Sequence, residues 1–279
     1  MDFTPDYSMM QCMLYCYVNK IKFVLYADDA NFATEGYEEF FLPFCEMNHS
    51  RLNSKYNDRY DYYHGKIYNF FNFILRRKEH AKFLTADIFS KCIPREYSEN
   101  TYVKWDLFGI NGPCLLEFGK LAKIALRYND ITQNEVDKII KSVGLPHSYS
   151  SVQLRGGDKI LEFPQLNIIS DVAKNIRESG KPYENLFVFS DEYDYVEEIK
   201  KLLPESNIYS LTQNTEHGYN NASFNILRGT EKHKQMIKLF AMIDICMASD
   251  VHFGNEMTCV NNYIRSVKEK SQYYPVVRE

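Results

Sequence analysis

Four apolar runs in the second half of the chain alternate with four helical patterns, and this alternation limits the possible folds more than any other feature. Residues 149–155 form the first run, Leu186-Phe187-Val188-Phe189 the second, Ile208-Tyr209-Ser210-Leu211 the third and Val251-His252-Phe253 the fourth. Helical periodicity occupies 167–179, 193–203, roughly 230–247 and 257–269 between and after them. Short strands that are apolar without strict alternation, each followed by a helix, make a parallel sheet covered on both faces. Ligands of such sheets bind beyond the C-terminal strand ends. That rule gathers Arg155, Ser190, Asp191, Gly254 and Asn255 on one rim.

The first half is less regular. Ile21 to Ala27 reads as a buried strand ending at Asp28-Asp29-Ala30-Asn31, and a helix is expected from Gly36 over Tyr37 to Met47. Residues 49–63 are polar and read as a loop. Ile67, Phe70, Phe71, Ile74 and Leu75 recur at helical spacing ahead of Arg76-Arg77-Lys78, which suits a helix C-terminus. Two further helices are expected, one over 115–125 after Gly112-Pro113 and one from Asn134 to Val143, stopped by Gly144-Leu145-Pro146. The expected architecture is α/β, with two Rossmann-like lobes, residues 1–145 and 146–279, each with a parallel sheet, and a cleft between them.

At the end of the 149–155 strand stands Arg155-Gly156-Gly157-Asp158-Lys159. A planar guanidinium offers paired donors to phosphate oxygens and keeps its charge, while glycines let backbone N–H groups come close. The same residues also describe a tight turn with a surface Arg–Asp pair, so both readings stand on spacing alone.

Composition narrows the classes. The net charge of −4 gives no basic field for nucleic acid. The 22 Tyr and 19 Phe suit half-buried positions or a carbohydrate groove. Seven cysteines at 12, 16, 45, 92, 114, 246 and 259 lack any C-x-x-C pair, which reads as reduced, intracellular usage. The apolar run Met9 to Val18 is too short for a span and has no basic flank for a signal peptide, so a cytoplasmic protein with no membrane span is expected. The seven histidines show no metal-binding spacing. Tyr26-Ala27-Asp28-Asp29 spells the motif of polymerase palms, but only 25 residues precede it, too few for that fold.

The second half resembles the donor-binding domain of GT-B fucosyltransferases of the nodulation-factor and core α1,6 type. Gln153-Leu154-Arg155-Gly156-Gly157-Asp158-Lys159 is similar to their His-x-Arg-Arg-x-Asp-Lys run, with Gln153 for the histidine and Gly156 for the second arginine. Phe187-Val188-Phe189-Ser190-Asp191 resembles the strand that ends in a nucleotide-contacting hydroxyl–Asp pair. Asp244 to Thr258 resembles the last block, where a hydroxyl meets phosphates at a helix N-terminus. The resemblance covers about 149–269.

It implies an inverting, metal-independent transfer of a sugar from a nucleoside diphosphate, of GDP-fucose or UDP-xylose type, to a glycan acceptor, with no cofactor. Signal-free transferases of this size occur in bacteria and large DNA viruses, which sets the expected origin. Arg155, Gly156, Gly157, Lys159, Ser190, Asp191, Asn255 and Thr258 are the expected donor contacts. Glu162 is the first candidate base, with Asp158 beside it, since a carboxylate next to the donor suits abstraction of a hydroxyl proton. Asp29, Asn31, Phe32 and Tyr37 are candidates for the acceptor. Alternatives remain open: a metal-dependent GT-A transferase using Asp28-Asp29, with Asp191-Glu192-Tyr193-Asp194 as a second metal motif, and a non-catalytic glycan-binding module. His217, in the polar stretch Thr215 to Asn221, belongs either to a surface loop or to a segment closing over the nucleotide base.

Overall fold

The computed structural model describes residues 7–49, 101–106, 109–162, 168–255 and 257–277. They fall in two compact units, one within Pro5–Asn129 and the other within Asp130–Glu279. The helix expected at 67–78 and nearly all of the 49–63 loop lie outside the described residues.

In the first unit, the short apolar run near the N-terminus is helix α1 (Tyr7–Val18), which buries Met10, Cys12, Met13, Leu14 and Cys16. Strands β1 (Val24–Tyr26) and β2 (Glu46–Asn48) pair in parallel, Leu25 opposite Met47. The helix expected over 37–47 does not form. A single 3₁₀ turn covers Tyr37–Glu39, Phe41 bridges to Tyr128, and the chain reaches β2 extended. Pro43 is the reason: it lacks an N–H and drives Leu42 away from helical backbone. Tyr37, Phe40, Phe41 and Phe44 share helical spacing, yet they meet through a folded loop instead. Phe41 stacks on Tyr128 at 5.7 Å and packs on Tyr37 at 5.2 Å. A hairpin of β3 (Tyr102–Trp105) and β4 (Ile110–Pro113) leads into α2 (Cys114–Ala125).

The second unit begins with α3 (Asp130–Val143) and contains a five-stranded parallel sheet. Its strands are β5 (Ser150–Leu154), β6 (Asn185–Ser190), β7 (Asn207–Tyr209), β8 (Val251–Asn255) and β9 (Tyr273–Val277). They lie in the order β7-β6-β5-β8-β9. The chain therefore builds outward from β5 to β7, then returns to the other side of β5 for β8 and β9. That reversal places the switch point between β5 and β8, where open α/β sheets bind ligands. The connecting helices are α4 (Lys159–Glu162), α5 (Ile169–Glu178), α6 (Tyr193–Leu202), α7 (Asn221–Ile226), α8 (Gly229–Ala248) and α9 (Cys259–Val267).

Strand periodicity sorts the two faces. Val152, Leu154, Leu186, Val188, Val251 and Phe253 point to one side and pack with Ile169, Val172, Ile176, Val196 and Ile199 of α5 and α6. The opposite face carries Ser151, Gln153 and His252 among the apolar residues, under α8 and α9. Strand β9 escapes sequence reading because Pro275 argues against a strand; it is an edge strand, where a missing N–H is tolerated.

The polar face is linked around His252, which is 0% exposed. Ser151 Oγ lies 2.8 Å from His252 Nδ1 and 2.8 Å from Ser249 Oγ, and His252 Nε2 lies 2.8 Å from Asn261 Oδ1. An Nε2–H donated to Asn261 leaves Nδ1 to accept from Ser151, which describes a neutral ring. Burial disfavours the imidazolium and lowers the His252 pKa to about 4, outweighing the opposing effect of the hydrogen bond donated to Asn261. An unfolded histidine takes its proton near pH 6.5. The contribution of His252 to stability is thus complete above ~6.5 and is lost as pH falls toward about 4. The expected loss over that window is roughly 2–3 kcal/mol. Urea titrations from pH 7 to 4 should show this slope in the wild type and a flatter one in His252→Gln; equal slopes would refute a neutral buried His252.

Candidate functional site

Register builds the site. Leu154 pairs with Ser190 across β5 and β6, so the next residues, Arg155 and Asp191, leave the sheet side by side. The Asp191 carboxylate takes three donors: Arg155 Nη1 on Oδ2, the Gly156 N–H on Oδ1 at 2.6 Å and the Tyr219 N–H on Oδ2 at 2.9 Å. Asp158 holds the other half of the guanidinium, accepting from Arg155 Nη2 at 3.1 Å and from the Asn221 N–H at 2.9 Å. The Tyr219 ring lies against the guanidinium, with its centroid 5.0 Å from Cζ. Arg155 is consequently fixed on two sides and covered on one face, with its side chain 11% exposed.

The stretch 213–221 acts as a strap over this turn. Tyr219 C=O accepts from the Asp158 N–H at 3.1 Å, and the Gly218 N–H donates to Asp191 C=O at 2.8 Å. Gly157 has φ +63°, and a Cβ there would lie 2.1 Å from Tyr219 O. Close packing of the strap is what requires glycine at that position. Gly156 is buried and its N–H is committed to Asp191. The Gly156 N–H that the sequence offered to phosphate therefore serves to hold Asp191, which in turn ties the strap to the rim.

On the other side of β5, Gln153 Oε1 accepts from Thr258 Oγ1 at 2.8 Å. Thr258 caps α9, accepting from the Asn261 N–H at 3.4 Å. Asn255 Oδ1 accepts from the N–H groups of Met257 and Thr258, both at 3.1 Å. Thr258 and Asn255 are 5% and 3% exposed, so they shape the switch point from beneath. Ser190 is likewise buried; its hydroxyl is 3.0 Å from both Glu192 N and Glu192 O, closing a local turn. Lys159 opens α4, half-buried. Glu162 closes α4, and its side chain lies outside the described residues.

The rim of the second unit thus brings together Arg155, Gly156, Gly157, Asp158 and Asp191, with Ser190, Asn255 and Thr258 supporting it. Tyr219 and the Asn221 N–H complete it, and sequence reasoning missed both. A polar loop carrying His217 was the available signal, but backbone donors have no residue-type signature. Tyr195, on the first turn of α6, has its phenol pushed up to about 12 by burial and by the Glu192 and Asp191 carboxylates, and stays protonated.

The four residues expected to meet an acceptor lie in the first unit. Tyr37 is 3% exposed and packs against Phe32, so the Tyr37 ring belongs to the core and presents no face for stacking on a sugar. Asn31 is exposed in the loop after β1, and the side chain of Asp29 lies outside the described residues. Asp28 Oδ1 is 2.7 Å from His49 Nδ1, and His49 Nε2 is 3.2 Å from Glu38. The hydrogen bond that His49 donates to the Asp28 carboxylate raises the His49 pKa.

Sequence comparison gives no match to a family model or to a curated protein. Comparison of the fold does. A NodZ α1,6-fucosyltransferase co-crystallized with GDP superposes with TM-score 0.51 at 12% identity, covering 93% of this chain and 86% of that one. A NodZ structure soaked with GDP-fucose gives 0.53 at 12% identity, over 94% and 87%. The fucosyltransferase NodZ from Bradyrhizobium gives 0.51 at 12% identity, over 93% and 87%. The chain has a fucosyltransferase-like α/β fold of the GT-B type.

Gly157→Ala should cost about 2 kcal/mol or more, combining left-handed backbone strain with the clash on the strap. Gly180 has a similar φ of +67° with nothing within 4 Å, so Gly180→Ala should cost only about 1 kcal/mol. Chemical denaturation of the two variants measures the difference; equal losses would mean that strap packing contributes nothing at Gly157.

Proposed function

We propose that this chain is a glycosyltransferase that moves a sugar from a nucleoside diphosphate to a glycan acceptor with inversion and without a metal at the leaving group. The observation that carries this reading is Arg155, fixed at the β5 end of the switch point in a fold similar to fucosyltransferases whose structures hold GDP or GDP-fucose.

A guanidinium has five N–H donors. Asp191 and Asp158 take one on Nη1 and one on Nη2, which leaves others for phosphate oxygens. Two carboxylates and an aromatic face hold the cation still, so little ordering remains when a diphosphate arrives. A cation already in place where charge develops on the leaving group is the most effective form of electrostatic stabilisation. Lys159 and the backbone at Gly157 complete the proposed donor contacts, while Gly156, Ser190, Asp191, Asn255 and Thr258 act through the shape of the rim.

Asp158 is committed to Arg155 and Asn221, so the proposed base is Glu162, one helical turn further along α4. The sugar is of fucose or xylose type, and the acceptor surface includes Asn31 and Asp29. The two carboxylates that already neutralise Arg155 favour one rival, a glycan-binding module without nucleotide affinity.

Thermal shift against GDP, UDP and CDP tests the reading first. A ligand at a hundredfold its Kd raises stability by about 2.7 kcal/mol, and at least one diphosphate should do so. Glu162→Gln should then lower sugar transfer by roughly a hundredfold or more while leaving nucleotide binding within about twofold. Stabilisation by free glycans and by no nucleotide would establish the rival. Full transfer by Glu162→Gln would remove Glu162 as the base.

A further inference from the structure

Chemistry not used by the rim gathers at the outer end of the strap. Glu192, Asp194 and His217 each offer one ligand atom, and these atoms all lie within 4.8 Å of one another. We propose that this triad binds a divalent transition-metal cation that fastens the strap to the start of α6. Both halves stand out in the sequence, as Asp191-Glu192-Tyr193-Asp194 after a strand and His217 in a long polar loop, and folding brings them together.

Backbone contacts set the geometry. Glu192 and His217 form an antiparallel bridge, and the Tyr193 N–H donates to Glu216 C=O at 2.9 Å. The two ligand-bearing segments are therefore held in place before any ion arrives. A carboxylate in a first helical turn complements the helix dipole, and that alone would account for Asp194. It does not account for Glu192, which is the N-cap residue of α6 yet makes no capping hydrogen bond with its side chain. Glu192 Oε1 is instead buried without a hydrogen-bond partner and faces His217 Nδ1 at 3.4 Å. A buried carboxylate oxygen with no donor is an unfavourable arrangement unless a charge or ligand meets it. Among the described residues no Lys or Arg pairs with Glu192 or Asp194. Lys238 of α8 reaches the strap and is paired with Glu216.

Two carboxylate oxygens and one imidazole nitrogen suit Mn²⁺ or Zn²⁺ better than Mg²⁺ or Ca²⁺, which favour all-oxygen sites. His217 has a side chain 65% exposed, so an ion has a path in and open positions for water. Protons compete with a metal for imidazole and carboxylate ligands, so occupancy should fall as the solution is acidified. The role assigned to the ion is a clasp: it links α6 to the same segment whose Tyr219 covers Arg155. The site does not depend on the transferase reading, and the readouts below involve no nucleotide.

Mn²⁺ is the probe of choice because it competes poorly for the cysteine thiols that would draw Zn²⁺ elsewhere. Titration of the full chain, followed by the electron paramagnetic resonance of free Mn²⁺, should reveal one saturable site. His217→Ala and Asp194→Asn should each weaken it at least tenfold, and backbone hydrogen exchange over 213–218 should slow on Mn²⁺ addition in the wild type only. Circular dichroism of both surface variants confirms that they fold. Absence of saturable binding, or binding that neither substitution weakens, would overturn the proposal.

Discussion

One carboxylate organises the rim of this protein. Asp191 leaves β6 beside Arg155 and takes donors from that guanidinium, from Gly156 and from the strap at Tyr219. Without it, an arginine at the end of β5 would lose its main anchor, and the strap would lose one of its ties to the sheet. A hydrogen bond to a charged group contributes about 1.5–3 kcal/mol, so a carboxylate with three donors is among the stronger local constraints. Asp158 repeats the device at a smaller scale, holding Arg155 and Asn221 together.

This constraint explains the division of labour along β5. Toward β6, the strand end is charged and fastened by long-range hydrogen bonds. Toward β8, it is neutral and buried, with Gln153 bonded to Thr258 and His252 tied through Asn261 to the same helix. The buried polar network fixes how α9 meets the sheet, and the charged cluster fixes how the strap meets it. A buried polar network favours one arrangement because the alternatives leave more of its groups unpaired. The switch point between β5 and β8 is thus defined from both sides, and the proposed diphosphate contact lies where the two systems meet.

Much of the second unit was legible because its signals are local. The runs at 149–155, 186–189, 208–211 and 251–253 became β5, β6, β7 and β8, and the helical patterns between and after them became α5, α6, α8 and α9. What escaped was set by context. Pro275 hid β9, since only a position at the sheet edge makes proline acceptable in a strand. In the first unit, Pro43 outweighed the helical spacing of four aromatics. Convergence of Arg155, Ser190 and Asp191 on one rim followed from parallel-sheet rules, and the Arg155–Asp158 pairing was available from their closeness in sequence. The reach of Asp191 to Gly156 and Tyr219 was not, because backbone donors carry no label in the sequence. Tyr37 likewise looked like an aromatic near an acceptor loop and is core, since neighbouring rings supply a better partner than solvent.

The central claim is that a guanidinium braced by two aspartates receives a diphosphate. Calorimetric titration of GDP into the full chain and into Arg155→Ala and Arg155→Lys examines it most directly. Loss of the charged hydrogen bonds should weaken binding by about 1.5–3 kcal/mol in Arg155→Ala, roughly tenfold to a hundredfold or more, with Arg155→Lys in between because it keeps charge but not the planar fork. GDP binding of equal strength in all three folded proteins would contradict the claim and leave Arg155 as a brace for the strap alone.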